Sequence, residues 1–160
     1  MENSLENWLK QNQIEFILHE HTPVYTVEEA REYCSHILGL HCKNLFLKDS
    51  KSGKFFLLTL PATKSIAINL IRRQIRAKKL SFANPDELFK VLRLEPGSVS
   101  PFGLLYDNQK VVTFLIDQEV WNAPRVCFHP NVNYETIELT QNDFQKYIHL
   151  AKVPKILLEL

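Results

Sequence analysis

The sequence predicts an α+β fold: a curved, mixed and mainly antiparallel sheet flanked by helices in a single domain, residues 1–160. Three observations lead there. The 160 residues, 45% hydrophobic and 23% charged, suffice for one core without disulfides or structural metal. Segments of helical and of strand period are mixed along the chain without a βαβ rhythm. The four glycines form neither a Walker loop nor a GxGxxG turn, which removes the usual phosphate-cradling α/β folds.

The elements follow in order. Ser4 is a helix cap, and Leu5, Trp8 and Leu9 share one face of a helix reaching about Asn12. Ile14 to Glu20 reads as a strand, broken at His21-Thr22-Pro23. Thr26 with Glu29 three residues on has the capping-box pattern, opening a helix to about Ile37 that stops before Gly39. Cys42–Lys48 and Lys54–Leu60 read as two strands joined by a hairpin loop. Ser65–Arg76 is helical, with Ala67, Ile68, Ile71 and Ile75 as its apolar stripe, and Lys79–Phe82 is a short strand. Asn84 and Pro85 take cap and first-turn positions of a helix through about Leu92. After the Pro96–Gly103 loop, Leu104–Tyr106, Val111–Asp117, Arg125–Phe128 and Tyr134–Leu139 read as strands. Thr140 caps a last helix, Asn142–Ala151.

Nineteen basic against eighteen acidic residues leave a net charge of +1, so the chain cannot grip nucleic acid by bulk charge, although a local basic patch can. Cys34, Cys42 and Cys127 form no CxxC pair; a zinc ribbon and a thioredoxin-like motif are excluded, and free thiols fit a reducing cytoplasm. The polar N-terminus has no apolar signal region, and no apolar run approaches the roughly 20 residues of a membrane span. A soluble, cytoplasmic protein with no membrane contact is expected. Nothing suggests an extended coiled coil, so a monomer is expected.

Four features bear on chemistry. Pro96-Gly97-Ser98-Val99-Ser100-Pro101-Phe102-Gly103 holds two of the four glycines, and its two stiffening prolines bracket a Gly-Ser-Val-Ser core. Such a loop can present free N–H groups to an oxyanion, or it can be only a rigid connector. Lys43 shares a strand face with Leu45 and Leu47, where it either meets a phosphate or carboxylate or snorkels to water. Its neighbour Asn44 either hydrogen-bonds a ligand or faces solvent. His129, at the end of a strand, either orients substrate or is satisfied by the fold. Arg72, Arg73, Arg76, Lys78 and Lys79 form the densest basic cluster, either a face for a nucleic-acid backbone or a solvated surface. Cys42 beside Lys43 could be an activated thiolate, although a small core thiol is the simpler reading. His19 and His21 stand i, i+2 without a cysteine or carboxylate cluster, so no metal site is expected.

Taken together, Glu20 to Ala30, Lys43 to Asp49, Lys79 to Ala83, Glu95 to Leu104 and Phe128-His129-Pro130 carry a family resemblance. In order and spacing the chain resembles the free-standing aminoacyl-tRNA deacylases related to the editing insertion domain of prolyl-tRNA synthetase. The resemblance covers about residues 15–150 and is nearest to the branch that clears alanine from tRNA(Pro); a related branch removes cysteine. It implies a pocket at one edge of a curved sheet and hydrolysis of the ester between an amino acid and the terminal ribose of tRNA. It implies mischarged tRNA(Pro) as partner, a transient contact with prolyl-tRNA synthetase, and no metal or organic cofactor. Lys43 matches the lysine of the family's KN motif and is assigned to substrate placement through phosphate or ribose. A lysine of ordinary pKa is protonated at neutral pH and serves as a cation rather than a base. The GxxxP loop maps to Gly97 through Pro101, whose amides would hold the aminoacyl group or the developing oxyanion. His129 is assigned to pocket shape or hydrogen bonding, and Val24 and Tyr25 to the pocket wall. Water is the implied nucleophile, helped by a ribose hydroxyl. The Arg72–Lys79 cluster is a candidate tRNA contact. The competing readings are a Cys-tRNA(Pro) deacylase, a non-catalytic tRNA-binding module of the same fold, and a hydrolase of small esters or amides.

Overall fold

A computed structural model describes residues 1–160. The chain runs α1 (Asn3–Gln11), β1 (Ile17–Glu20), α2 (Val27–Cys34), β2 (Leu40–Asp49), β3 (Phe55–Pro61), α3 (Ile68–Gln74), β4 (Leu80–Phe82) and α4 (Pro85–Leu92). A 3-10 turn, Pro101–Tyr106, precedes β5 (Val112–Asp117), α5 (Gln118–Asn122), β6 (Arg125–Phe128), β7 (Glu135–Thr140), α6 (Gln141–Ala151) and β8 (Lys155–Leu158). The strands form one sheet in the order β1-β7-β6-β2-β3-β5-β8, with β4 also on β2. Four pairings are antiparallel (β1–β7, β6–β7, β2–β3, β2–β4) and three parallel (β2–β6, β3–β5, β5–β8), the mixed, mainly antiparallel sheet that the sequence predicts.

Strand period sorts the sheet into two faces. Phe46, Leu57, Phe114 and Ile137 enter a main core closed by α1, α4, the 3-10 turn and α6. Leu45, Leu47, Leu58, Leu60 and Leu115 point the other way, into a smaller core closed by Ile68, Ile71 and Ile75 of α3 and its flanks. Each such buried side chain contributes about 1.5–3 kcal/mol, and the larger cluster marks the main core as the chief source of stability.

The site follows from how β2 is paired. On one edge it meets β3 from Cys42 to Lys48. On the other it meets β6 only at Leu40–His41 and β4 only at Leu47–Asp49. Between them, residues 42–46 have no strand neighbour on that second edge, and a gap opens in the sheet. Gly39 permits the close crossing of β2 and β6: a Cβ there would sit 2.5 Å from Cys127 Sγ. At the far end of β2 the buried Asp49 carboxylate accepts the backbone N–H groups of Lys78 and Lys79, the Lys51 amide and the Ser52 hydroxyl. Those amides hold it well below the usual carboxylate range and fix the basic turn after α3 to the β2–β3 hairpin.

Several local expectations are corrected. Ser4 lies inside α1, whose N-cap is Glu2 without a side-chain cap. Ile14–Phe16 is not strand: Gln13 turns through φ 55°, Ile14 N–H bonds Leu9 O, and the Glu15 N–H goes to the Asp143 carboxylate. α2 is capped by Thr26 as expected but ends at Cys34, where the chain turns so that Ile37 N–H meets Cys34 O over a small Cys34–Ile37–Cys127 cluster. α3 is shorter than Ser65–Arg76, ending before Arg76, which adopts φ 55°. Leu104–Tyr106 is part of the 3-10 turn, not a strand: Ser100 caps it and Pro101 fixes its first turn. α5, capped by Asp117, and β8 are additional elements. No helix is long and apolar enough to cross a membrane.

Candidate active site

The gap beside β2 is a cavity of about 240 Å³. It is closed by β2, by the end of β6, by α2 with the segment before it, and by the start of the Gly97 loop. Of the predicted residues, Lys43, Asn44, Val24, Tyr25, Gly97, Val99 and His129 line it. Ser98, Ser100 and Pro101 do not. Ser100 is fully buried beneath the cavity; its hydroxyl donates to Asn131 Oδ1 (2.9 Å) and accepts from Phe102 N–H (3.1 Å). Pro101 is buried with its carbonyl accepting from the Tyr147 hydroxyl at 2.8 Å. These residues hold the loop and leave contact to its first part. Gly97 takes φ 88°, where glycine is at ease, and its Cα faces the Tyr25 ring. The Ser98 N–H is used by Glu95 O, while the N–H groups of Gly97 and Val99 have no acceptor in the chain.

Lys43 is the one lysine or arginine lining the cavity, and no carboxylate lines it. It stands outside every ion pair of the chain. Asn44 projects to the other side of β2, where its Oδ1 accepts the hydroxyl of fully buried Thr59, its cross-strand partner, at 2.5 Å. That bond orients the amide and leaves its NH₂ available. His129 Nδ1 donates to Glu135 O at 3.0 Å, because a carbonyl only accepts. Burial, more than its neighbours, lowers the His129 pKa; the ring is neutral at pH 7 and presents Nε2 as an acceptor. His21 stands beside it, ring centres 6.1 Å apart, bonded to Thr136 Oγ1.

Cys34, Cys42 and Cys127 all reach this cavity, as do His41, Ala62 and Thr136. Sequence reasoning weighed Cys42 as a thiolate and left the others out of the site. Their only signal was proximity in sequence to Lys43 or His129, and Ala62 and Cys34 lack even a strong one. Burial pushes the Cys42 thiol well above its ordinary value and Cys127 up to about 12, so these are thiols, not thiolate nucleophiles. The activated-cysteine reading of Cys42 is thereby removed. His19 pairs with Glu138 rather than with His21, and no cluster of metal-binding type forms.

The basic cluster lies elsewhere on the molecule. Arg73, Arg76, Lys78 and Lys79 are exposed and Arg72 half-buried, on and after α3. None of them lines the cavity. Arg72 and Arg73 donate to Ala77 O and Asn69 O of their own segment. By strand parity Lys43 belongs to the sheet face that α3 covers.

A cleft with one cation, two unspent amides and a neutral histidine, and no carboxylate, is suited to holding an ester and stabilising a developing oxyanion. The family model for the aminoacyl-tRNA editing domain matches residues 21–147. The chain belongs to that family, and it is an aminoacyl-tRNA hydrolase. Within the family its sequence groups it with the free-standing prolyl-tRNA editing proteins. It is 36% identical over 140 residues to the prolyl-tRNA editing protein ProX of Acetoanaerobium sticklandii, covering 88% of this chain and 85% of that one. It is 31% identical over 160 residues to prolyl-tRNA synthetase associated domain-containing protein 1 of Danio rerio, covering 99% and 86%. A crystal structure assigned as a trans-editing enzyme for prolyl-tRNA synthetase shares the fold, with TM-score 0.73, 17% identity and 100% and 99% coverage. The hypothetical protein APE2540 does likewise, with TM-score 0.74, 17% identity and 96% and 97% coverage.

Proposed function

We propose that the protein acts in trans on mischarged Ala-tRNA(Pro), releasing alanine and uncharged tRNA(Pro). The observation that carries the reading is the cavity beside β2, which gathers Lys43, the free amides of Gly97 and Val99, and neutral His129. At about 240 Å³ it is smaller than the roughly 300–1,000 Å³ of a pocket for a drug-sized ligand. It suits the aminoacyl end of the substrate, with the nucleobase outside. The sequence likeness to the prolyl-tRNA editing protein ProX supports the tRNA.

In this reading Lys43 holds the terminal ribose or its phosphate. Water adds to the ester carbonyl, and the Gly97 and Val99 amides receive the charge that develops on its oxygen. The bond from the carbonyl carbon to the ribose oxygen breaks, and that oxygen takes up a proton. No carboxylate is at hand as a general base, so the neighbouring ribose hydroxyl orients the water, and His129 Nε2 accepts a hydrogen bond from the substrate. The logic is a second sieve. A synthetase pocket shaped for proline loses only about 1–3 kcal/mol per missing methylene, too little to reject alanine, whereas a small hydrolytic pocket rejects proline by size. The protein's three free cysteines fit the cytoplasm, where a transient contact with prolyl-tRNA synthetase would deliver the substrate.

The test is hydrolysis of Ala-tRNA(Pro) beside Cys-tRNA(Pro), Pro-tRNA(Pro) and Ala-tRNA(Ala), with Lys43→Ala as control. The expected result is loss of alanine from tRNA(Pro) alone, slowed about 10²-fold or more by Lys43→Ala. Preferential loss of cysteine would move the protein to the cysteine-clearing branch. Absence of activity on all four would leave a tRNA-binding module.

A further inference from the structure

A second cavity, of about 200 Å³, adjoins the first on the inner side of α2. The two share Val27, Ala30, His41 and Ala62, so they form one bent cleft with a neck between two alanines. Lys43, Gly97 and His129 line the first cavity and not the second, so the second leads away from the ester. Its own residues are Arg31, Ser35 and Thr63. We propose that this side groove carries the nucleotide that precedes the ester-bearing terminal adenosine, and that Arg31 binds the phosphodiester joining the two.

Three observations support that occupant. The first is continuity with the candidate active site, on whose reading this proposal rests. The second is charge. Arg31 is exposed and in no ion pair, and no carboxylate lines the groove. The one cation near the groove's other wall, Lys64, is committed to Asp117 and Glu119. The third is the sorting of charge on α2. At about 100° per residue, Val27, Ala30, Arg31 and Cys34 fall within roughly 100° of helix surface, while Glu28, Glu29 and Glu32 fall outside it. The helix turns its arginine toward the cleft and its carboxylates away. A planar guanidinium with two parallel N–H donors matches a phosphodiester better than it matches any part of an amino acid with a small apolar side chain. The hydroxyls of Ser35 and Thr63 add donors at the same end. With Arg31 on the phosphodiester at the 5′ side of the terminal ribose, Lys43 is left the ester-bearing ribose itself, and the two cations divide the work.

The experiment compares two small esters that differ by that phosphodiester: 3′-O-alanyl-adenosine, and the same residue extended at its 5′ side to the dinucleotide cytidylyl-adenosine. The unaltered protein, Arg31→Ala, Arg31→Lys and Lys43→Ala are assayed on both. Arg31→Ala is expected to raise KM for the dinucleotide ester about tenfold with kcat little changed, and to leave the adenosine ester within about twofold. Arg31→Lys recovers part of the loss, since charge remains while the planar fork does not. Lys43→Ala impairs both esters. Equal effects of Arg31→Ala on the two esters would overturn the assignment and favour the groove as a seat for the amino-acid side chain; no effect on either would overturn it outright. Failure of the unaltered protein to hydrolyse any aminoacyl ester, full-length tRNA included, would instead overturn the enzymatic reading beneath it. A fold defect would appear as loss on both esters and in the circular dichroism of the variant.

Discussion

His129 is held neutral by its place in the fold. Burial is the main cause, His21 and His41 add to it, and the Glu135 carbonyl only partly offsets them. A depressed folded pKa has a definite sign for stability. Above the unfolded value near 6.5 the contribution is fully present; as the pH falls through that value the unfolded chain takes up a proton that the folded chain refuses, and stability is lost. Thermal unfolding midpoints should therefore fall between about pH 7.5 and pH 5.5, and His129→Gln should shrink that fall. An unchanged fall in the variant would assign the effect to other groups. The residue scale also shows how far the sequence could be read. Lys43 and Asn44 stood out because a lysine on an apolar strand face is unusual, and His129 because it ends a strand. Thr59, which orients Asn44, and Ala62, which forms the neck of the cleft, could not stand out. They matter through cross-strand register and through the absence of bulk, and neither leaves a local mark.

At the scale of elements, the Gly97–Pro101 loop is a short presenting arm on a buried foot. Gly97 and Val99 face the cavity; Ser100 and Pro101 are tied below to Asn131 and Tyr147. The motif marked the loop, but composition could not divide arm from foot, because that division depends on α6 supplying Tyr147 and on Asn131 adopting φ 64°. Ser100→Ala removes the cap of the 3-10 turn and leaves Asn131 Oδ1 without its donor, at a cost of about 1–3 kcal/mol. Activity should fall chiefly in kcat, with KM little changed, since the amides move while Lys43 stays. Steady-state kinetics with a melting curve checks this; a rise in KM alone would place the substrate's ground-state contact on the foot. The same dependence on distant partners explains the elements that the sequence hid or disguised. Lys155–Leu158 lacks alternation and is a strand because it finds β5 alongside. Leu104–Tyr106 has strand composition but follows a capped proline, and the cap decides.

For the whole molecule, the near-neutral charge makes position decisive. With a net charge of +1, tRNA affinity has to come from where the cations sit. Arg72, Arg73, Arg76, Lys78 and Lys79 are gathered on one segment that covers the second sheet face, the face to which Lys43 belongs by strand parity. The Asp49 carboxylate binds the backbone of that segment and not its side chains, which leaves the ammonium groups of Lys78 and Lys79 exposed. None of these residues reaches the cavity, so the cluster can affect docking of the tRNA body without touching the ester. Replacing Arg72 and Arg73 together by Ala should therefore weaken binding of tRNA(Pro) and make the slope of log affinity against log salt shallower by roughly 1.5, the loss of two phosphate contacts. Hydrolysis of alanyl-adenosine, which lacks the tRNA body, should be unchanged. Binding titrations at several salt concentrations decide the matter: an unmoved slope would mean that the cluster is a solvated surface and that the tRNA body is held by another face.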